Sequence, residues 1–207
     1  MASLAEGQNH KFNNWINSTK ALFCLGNGIS EFVQREAEGQ YNSNVEHVTT
    51  KTNKRPFDCN QCSHQNILPE HASVNGPCKL GNPQICHCKR NRYRRQCPQL
   101  NACGIFHDLI CDQHTQKVPN WANTNMDKWS TSCFEYIKCF ISTPGYKTKY
   151  LFDQLDASAF LNICQNNSRL HNYFNSPDIQ TLIKTVRIQC HVLVLNVRKN
   201  YTPFTVL

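Results

Sequence analysis

Cysteine thiols and histidine rings, the side chains that bind zinc most often, are concentrated in one short part of the chain. Eight of the 13 cysteines lie between residues 59 and 111, with several histidines interspersed. They include the closely spaced pairs Cys59-x-x-Cys62 and Cys86-x-Cys88. Tetrahedral zinc takes four such ligands, at about 2.3 Å for sulfur. The spacing predicts structural zinc, with one or two ions per chain.

The candidate ligands divide into two groups. The two closely spaced pairs would form one centre. Cys97 and Cys103 would form the other, with two of Cys111, His107 and His114. Catalytic zinc is not indicated, because no H-E-x-x-H or H-x-E motif accompanies the thiols. Disulfides, which need an oxidising compartment, and incidental cysteines in a loop are the alternatives. The predicted ligands are Cys59, Cys62, Cys86, Cys88, Cys97, Cys103, Cys111 and His114.

A basic run lies among these ligands. Six of the eight units of net positive charge fall between His71 and His107, a stretch without Asp or Glu. Cations can contact phosphates, and a tyrosine ring can stack on an unpaired base. A nuclear-localisation patch and a solvated loop are the alternatives. The residues predicted to contact RNA are Lys89, Arg90, Arg92, Tyr93, Arg94 and Arg95.

Composition excludes two classes of protein. A hydrophobic content of 40% in 207 residues is too high for a disordered chain. Mean hydropathy is −0.55, and there is no apolar run near the roughly 18 residues that span a bilayer. Residues 1–10 lack the apolar core of a secretory signal. We therefore expect an intracellular protein, cytoplasmic or nuclear, without membrane contact.

Regular elements must position these residues, and helical periodicity appears on both sides of the cysteine-rich part. Apolar residues over 12–33 predict one kinked helix or two helices joined at Gly26-Asn27-Gly28. Further stripes run over 129–141 and 151–164. Ser176, followed by Pro177, predicts the start of another helix, with a tail that could become a strand.

These patterns divide the chain into five parts. Residues 10–38 form the first helical segment, 39–58 a polar linker, and 59–115 a cysteine- and histidine-rich zinc insertion carrying the basic run. Residues 116–199 complete the helical bundle, and 200–207 form a tail. The predicted fold class is therefore mainly α, with an irregular zinc-stabilised insertion.

A series of short motifs runs along the chain in a fixed order. The motifs are Asn14-Trp15, Cys24-Leu25, Gly28-Ile29, Phe32, Cys103, His114, Trp121-Ala122-Asn123, Trp129, Phe134-Glu135, Lys138-Cys139-Phe140, Asp156-Ala157, Leu161-Asn162 and Cys164. Together they resemble a family of animal proteins named after a human X-chromosome open reading frame, and the likeness covers about two-thirds of the chain. That family carries a helical domain related to the HEPN (higher eukaryote and prokaryote nucleotide-binding) group.

The resemblance implies a HEPN-like helical bundle, and many HEPN domains are metal-independent endoribonucleases. Their signature is an arginine followed by a histidine after four to six residues, usually beginning Arg-Asn. Here the matching pair is Arg187 and His191, which is one residue short and has Ile188 in place of the asparagine. An i, i+4 pair still shares one helical face. Family members continue with another amphipathic helix, whereas 16 residues follow His191 here.

The sequence therefore predicts a non-catalytic interaction module with structural zinc that binds RNA through its basic insertion. The first alternative is a HEPN-type endoribonuclease using Arg187 and His191. The second is a protein-binding adaptor in which the basic run has no role. Protein partners, including a second copy of the chain, are compatible with all three.

Overall fold

The computed structural model describes residues 2–71 and 94–175, together with residues 177 and 181. The described chain is mainly helical, as predicted, and its only β-type pairings are two isolated bridges. The helices are α1 (Ala2–Thr52), α2 (Ala102–Gln113), α3 (Cys133–Ile137), α4 (Ala157–Asn166) and α5 (Ser168–Tyr173).

The first helix is much longer than the sequence suggested. We predicted either one kinked helix or two helices joined at Gly26-Asn27-Gly28, followed by a polar linker over 39–58. A single helix passes through these glycines and continues to Thr52, so the two-helix alternative and most of the linker are wrong. Gly26 lies against α4, where a Cβ added to the glycine would stand 3.6 Å from the Ala157 Cβ. That distance is an ordinary van der Waals contact, so the glycine packs against α4 and does not end α1.

The second half of α1 was not predicted from the sequence because it contains polar residues. Several of these are buried as hydrogen-bonded amide pairs. Gln40 accepts a hydrogen bond from the Asn167 amide at 2.6 Å. Asn44 and Gln113 exchange two hydrogen bonds, at 2.7 and 2.9 Å. These amides are buried beside Ala37, Tyr41 and Val48, which belong to the core, and each amide finds a partner.

The insertion predicted over 59–115 was also wrong in part, because its second half contains α2. Ile105, Phe106 and Ile110 are buried in the common core of the described residues. The end of the cysteine-rich part, which the structure describes, therefore packs into the common core. Its last turns supply one side of the core, and the surrounding cysteines and glycine masked their helical periodicity.

The remaining helices are short, and a side-chain cap begins each of them. Ser132 accepts from the Glu135 amide at 3.2 Å at the start of α3, and Asp156 accepts from the Ala159 amide at 2.8 Å at the start of α4. The predicted stripes over 129–141 and 151–164 are thus each divided. Single 3₁₀ turns occupy 121–123, 126–128, 138–140 and 152–154.

The core is built from aromatic rings contributed by several elements. Trp129 packs edge-on against Phe57, with ring centres 5.0 Å apart, and Phe106 contacts both of them. Tyr41 of α1 joins this cluster and donates a hydrogen bond of 2.6 Å to the Trp129 carbonyl. The cluster ties α1, α2 and the loop after α1 into one body.

A buried ion pair lies beside this core. The Lys138 ammonium, with no solvent exposure, lies 2.9 Å from the Glu135 carboxylate and donates to the Lys149 carbonyl at 2.9 Å. The other carboxylate oxygen of Glu135 accepts from the Asn125 amide at 2.7 Å. Both charges are therefore compensated by hydrogen bonds as well as by each other.

Two isolated bridges fasten the loops to the helical body. A parallel bridge joins Ile67 to Arg95, and an antiparallel bridge joins His114 to Asn167. In the part of the chain that the structure describes, no helix combines the length and apolar character needed to cross a membrane.

Candidate metal centre

A tight turn places the first cysteine pair beside the start of α2. Asn60, between Cys59 and Cys62, has a φ of 53°, a left-handed conformation that asparagine adopts more readily than most residues. Phe57, just before the pair, is buried in the aromatic core. Its backbone amide donates to the Cys103 sulfur at 3.1 Å. The core thus fixes the first pair relative to α2.

The second pair is formed by the turn that leads into α2. Cys97 precedes this turn, and Cys103 lies in the first turn of the helix. Asn101, with a φ of 58°, closes the turn, because its side-chain oxygen accepts from the Cys97 amide at 3.3 Å. A Cβ on Gly104 would lie 2.5 Å from the Leu68 carbonyl oxygen, so only glycine fits this close approach.

The four sulfur atoms surround one point. The Sγ of Cys103 lies 3.4 Å from that of Cys97 and 3.7 Å from that of Cys59. All four sulfurs, including that of Cys62, lie within 4.8 Å of one another. Four ligands at about 2.3 Å around a tetrahedral ion imply sulfur separations of about 3.8 Å. These four cysteines could therefore hold a metal ion.

The alternative of disulfide bonding does not apply to the described cysteines. A disulfide requires a sulfur separation of about 2.05 Å, much shorter than those in the cluster. All nine cysteines of the described ranges carry free thiols. Cys97 and Cys103 are buried, whereas Cys59 and Cys62 are half-buried at the edge of the cluster.

The thiols of the cluster have unequal proton affinities. Burial is the main cause that raises the pKa of Cys62 to about 12, and burial also raises the pKa of Cys103. At Cys59, burial acts in the same direction, but hydrogen bonds from the Gln61 backbone and from two neighbouring thiols outweigh it and lower the pKa. A bound cation would displace these protons, because thiolate is the ligand form.

The grouping of the ligands differs from the one predicted. We assigned the pair Cys59 and Cys62 to one centre and the pair Cys97 and Cys103 to another, but the structure brings these two pairs together. Cys86 and Cys88, which were predicted to share a centre with Cys59 and Cys62, lie outside the described residues.

Cys111 and His114 lie outside the four-sulfur cluster. The Cys111 sulfur is 3.9 Å from Nδ1 of His107, and the His114 ring stacks on Phe140 with ring centres 5.8 Å apart. His114 also accepts from the Gln116 amide at 3.2 Å. Burial raises the pKa of the Cys111 thiol, so this pair does not have the lowered pKa of a nucleophilic cysteine.

The end of the basic run is part of the support for the cluster. Arg95 pairs with Ile67 in the parallel bridge, and its guanidinium donates to the Gln61 carbonyl at 2.7 Å. Arg94, half-buried, donates to the Ile67 carbonyl at 3.1 Å. The other predicted RNA-contacting residues, Lys89, Arg90, Arg92 and Tyr93, lie outside the described residues, as do Arg187 and His191.

A carboxylate joins two histidines next to this support. Oδ2 of Asp108 accepts from the backbone amide of His71 at 3.0 Å and lies 2.8 Å from its ring Nδ1. The hydrogen bond to Asp108 is the main cause that raises the pKa of His71. Burial lowers the pKa of the nearby His107. Burial acts to raise the pKa of Asp108, but the two histidine hydrogen bonds outweigh it and lower the pKa.

We expect Asp108→Asn to lower the pKa of His71 and to reduce the free energy of unfolding by about 1–3 kcal/mol in mildly acidic solution. A raised histidine pKa stabilises the fold below the unfolded-state pKa of about 6.5, and this contribution disappears as the pH rises through the folded-state pKa. The difference between wild type and variant should therefore narrow toward alkaline pH. Urea unfolding across the pH range and NMR titration of the His71 ring measure both effects.

Asp112→Asn is the matched control, because Asp112 is exposed and on the same helix. It should lower the pKa of His71 much less than Asp108→Asn does, because Asp112 acts on His71 only through its charge, whereas Asp108 is hydrogen-bonded to the ring. A stability difference for Asp108→Asn that stays constant or widens as the pH rises would contradict the expected ion pair.

Sequence reasoning did not find the residues that support the cluster. The bridge partner Arg95 was assigned to RNA contact, and the contributions of Phe57 and Asn101 went unrecognised. The Pro-Gln-Leu-Asn turn between Cys97 and Cys103 is the available signal, because asparagine favours left-handed turn positions.

Comparison of the chain with protein-family models, with curated proteins and with solved structures finds no match in any of the three. The HEPN resemblance therefore stays a prediction from the sequence motifs.

Proposed function

We propose that the chain is a non-catalytic, RNA-binding module on a HEPN-like helical bundle, in which a structural zinc ion fixes the base of the basic segment. The observation that carries this proposal is the cluster of four sulfurs, with separations that match tetrahedral coordination. Because all four ligands come from the protein, no coordination position is left for substrate, which favours a structural role.

Zinc is the metal that four cysteine thiolates favour in a protein of a reducing compartment. Four thiolates in a tetrahedron suit zinc or iron. Free thiols at all nine described cysteines fit a reducing compartment, which supports an intracellular location. Metal analysis of the purified chain should give one zinc per cluster, and one iron in its place would overturn the choice of metal.

The basic run is the proposed RNA contact, and its two halves have different roles. Arg94 and Arg95 donate to backbone carbonyls beside the cysteine cluster. They therefore hold the run at its base. Phosphate contact is assigned to Lys89, Arg90 and Arg92, and base stacking to Tyr93.

Reversing two charges of the outer half is expected to weaken RNA binding without loss of zinc. For Arg90→Glu with Arg92→Glu, we expect at least about a tenfold lower affinity for a labelled single-stranded RNA of about 20 nucleotides at low salt. The slope of log affinity against log salt should decrease by about 1.4, since each phosphate contact contributes about 0.7. Fluorescence anisotropy over a salt series measures both quantities.

Lys117→Glu is the matched control, because it reverses a surface charge outside the run. It should leave the affinity and the salt slope nearly unchanged. Equal weakening by both variants would indicate nonspecific charge attraction. No RNA binding by the wild type, with proteins recovered after crosslinking in cells, would favour the adaptor.

The same RNA tests the endoribonuclease alternative. An intact oligonucleotide after incubation supports binding without catalysis. Cleavage that His191→Ala abolishes while affinity is retained would instead support an enzyme acting through Arg187 and His191.

A further inference from the structure

The loop that follows the buried ion pair carries two large apolar side chains in succession that both face solvent. Tyr150 is 57% exposed and Leu151 is 58% exposed. Other strongly exposed apolar residues of the described ranges, such as Phe23 and Val118, stand singly in the sequence. Single exposed apolar residues are ordinary on protein surfaces, whereas neighbouring ones are typical of contact surfaces. This part of the loop is therefore a candidate for binding.

Lysines accompany the exposed ring. The Lys128 ammonium lies over the face of the Tyr150 ring, 5.3 Å from its centre, which is a cation–π contact. Residues 142–151 contain two lysines and neither Asp nor Glu. Together with Lys128, these lysines outnumber the two exposed acids next to them in sequence, Asp127 and Asp153. The surface thus combines an accessible aromatic ring with an excess of positive charge.

Buried groups hold the backbone of this loop from below. The Lys138 ammonium donates to the Lys149 carbonyl at 2.9 Å and to the Lys147 carbonyl at 3.4 Å. The Tyr150 amide donates to the side-chain oxygen of Gln154 at 2.7 Å. These bonds use main-chain groups of the loop, while the side chains of Lys147 and Tyr150 are exposed. A loop that is ordered before binding loses little conformational entropy when a partner arrives.

We propose that Lys128, Lys147, Tyr150 and Leu151 form a platform for single-stranded RNA. A base stacks on the Tyr150 ring, Leu151 adds apolar surface beside it, and the two lysines contact neighbouring phosphates. An acidic peptide would satisfy the lysines, but its carboxylates would gain nothing from the ring. The platform lies outside the basic run, and the inference rests on the proposed function only for the choice of RNA as the partner.

Replacing Tyr150 with alanine tests the stacking contact. We expect about a fivefold or greater loss of affinity for a labelled single-stranded RNA of about 20 nucleotides, as is typical when one stacked base is released. The slope of log affinity against log salt should stay nearly unchanged, because no charge is removed. Lys147→Glu should instead decrease that slope by about 0.7. Fluorescence anisotropy over a salt series measures both effects.

Two further variants control for the fold and for general exposure. Tyr150→Phe keeps the ring and should retain the wild-type affinity. Phe23→Ala removes an exposed aromatic side chain from α1, outside the platform, and should also bind RNA as the wild type does. A loss of affinity in Phe23→Ala equal to that in Tyr150→Ala would overturn the platform.

Photocrosslinking to an RNA that contains 5-iodouridine locates the contact directly. We expect an adduct on Tyr150, within the tryptic peptide that spans residues 150–169. Tyr173 is the matched control within the same protein, because it is 56% exposed and lies outside the platform. Adducts that miss Tyr150, or that form equally on Tyr173, would overturn the platform.

The results for the platform and for the basic run can be told apart. Unchanged affinity in Tyr150→Ala, with weakened binding in the Arg90→Glu and Arg92→Glu variant, would overturn the platform alone. The opposite pattern would support the platform and overturn the basic run. Competition by polyglutamate as effective as that by RNA of equal charge would indicate an acidic peptide and overturn the platform. Absence of RNA binding by the wild type would overturn both.

Discussion

Replacing Cys103 with serine is expected to remove the proposed zinc ion and to lower the free energy of unfolding by about 4 kcal/mol. This figure applies when free metal exceeds the dissociation constant about 1,000-fold. It corresponds to a melting temperature lower by about 8–16 °C in a chain of this size. We expect a large effect because the Cys103 sulfur lies close to the sulfurs of Cys97 and Cys59, and because Cys103 lies in the first turn of α2. Metal analysis and thermal unfolding measure both effects.

Two controls separate loss of metal from loss of a buried side chain. Cys164→Ala removes a buried thiol outside the cluster and should retain the full metal content. A strong chelator should destabilise the wild type by nearly as much as the substitution does. The chelator should have little effect on the serine variant. A Cys103→Ser protein that keeps its zinc, or a wild type insensitive to the chelator, would contradict the centre.

Replacing Lys138 with methionine is expected to destabilise the fold by about 3–5 kcal/mol, the usual cost of leaving one member of a buried ion pair without its partner. Glu135 would remain 2% exposed, with its charge uncompensated. The backbone carbonyl of Lys149 would also lose its donor. Urea unfolding followed by circular dichroism gives the change in free energy.

A double substitution shows whether the isolated charge causes the loss. Adding Glu135→Gln to Lys138→Met removes that charge and should recover part of the stability. Lys128→Met is the matched control, because this lysine is exposed, and its effect should be within about 0.5 kcal/mol. If the double variant is no more stable than Lys138→Met, the ion pair is not the cause.

The apolar periodicity of the sequence predicts the start of α1, but the polar composition of its second half did not indicate a helix. The mainly helical class and the start of α1 follow from residues such as Ile29 and Phe32. Past residue 38, the buried Tyr41 and Val48 are interspersed with Gln40 and Asn44, whose partners come from distant parts of the chain. A local pattern cannot show that such an amide will be satisfied, so the segment resembled a linker.

The candidate centre was predictable by residue type but not by pairing. Cys59, Cys62, Cys97 and Cys103 were all among the predicted ligands, and the structure joins them in one cluster. Their association depends on the Phe57 amide, the Asn101 turn and the Ile67–Arg95 bridge. These are contacts across the fold, and spacing along the sequence does not encode them.

The parallel bridge between Ile67 and Arg95 joins the two cysteine pairs through main-chain groups. The Leu68 amide donates to the Arg95 carbonyl at 2.9 Å, and the Arg95 amide donates to the Asn66 carbonyl at 2.7 Å. Every residue except proline supplies such an amide donor, so these two bonds do not depend on the identity of the side chains. The side chains at Leu68 and Arg95 can therefore diverge while the two cysteine pairs keep their relative position.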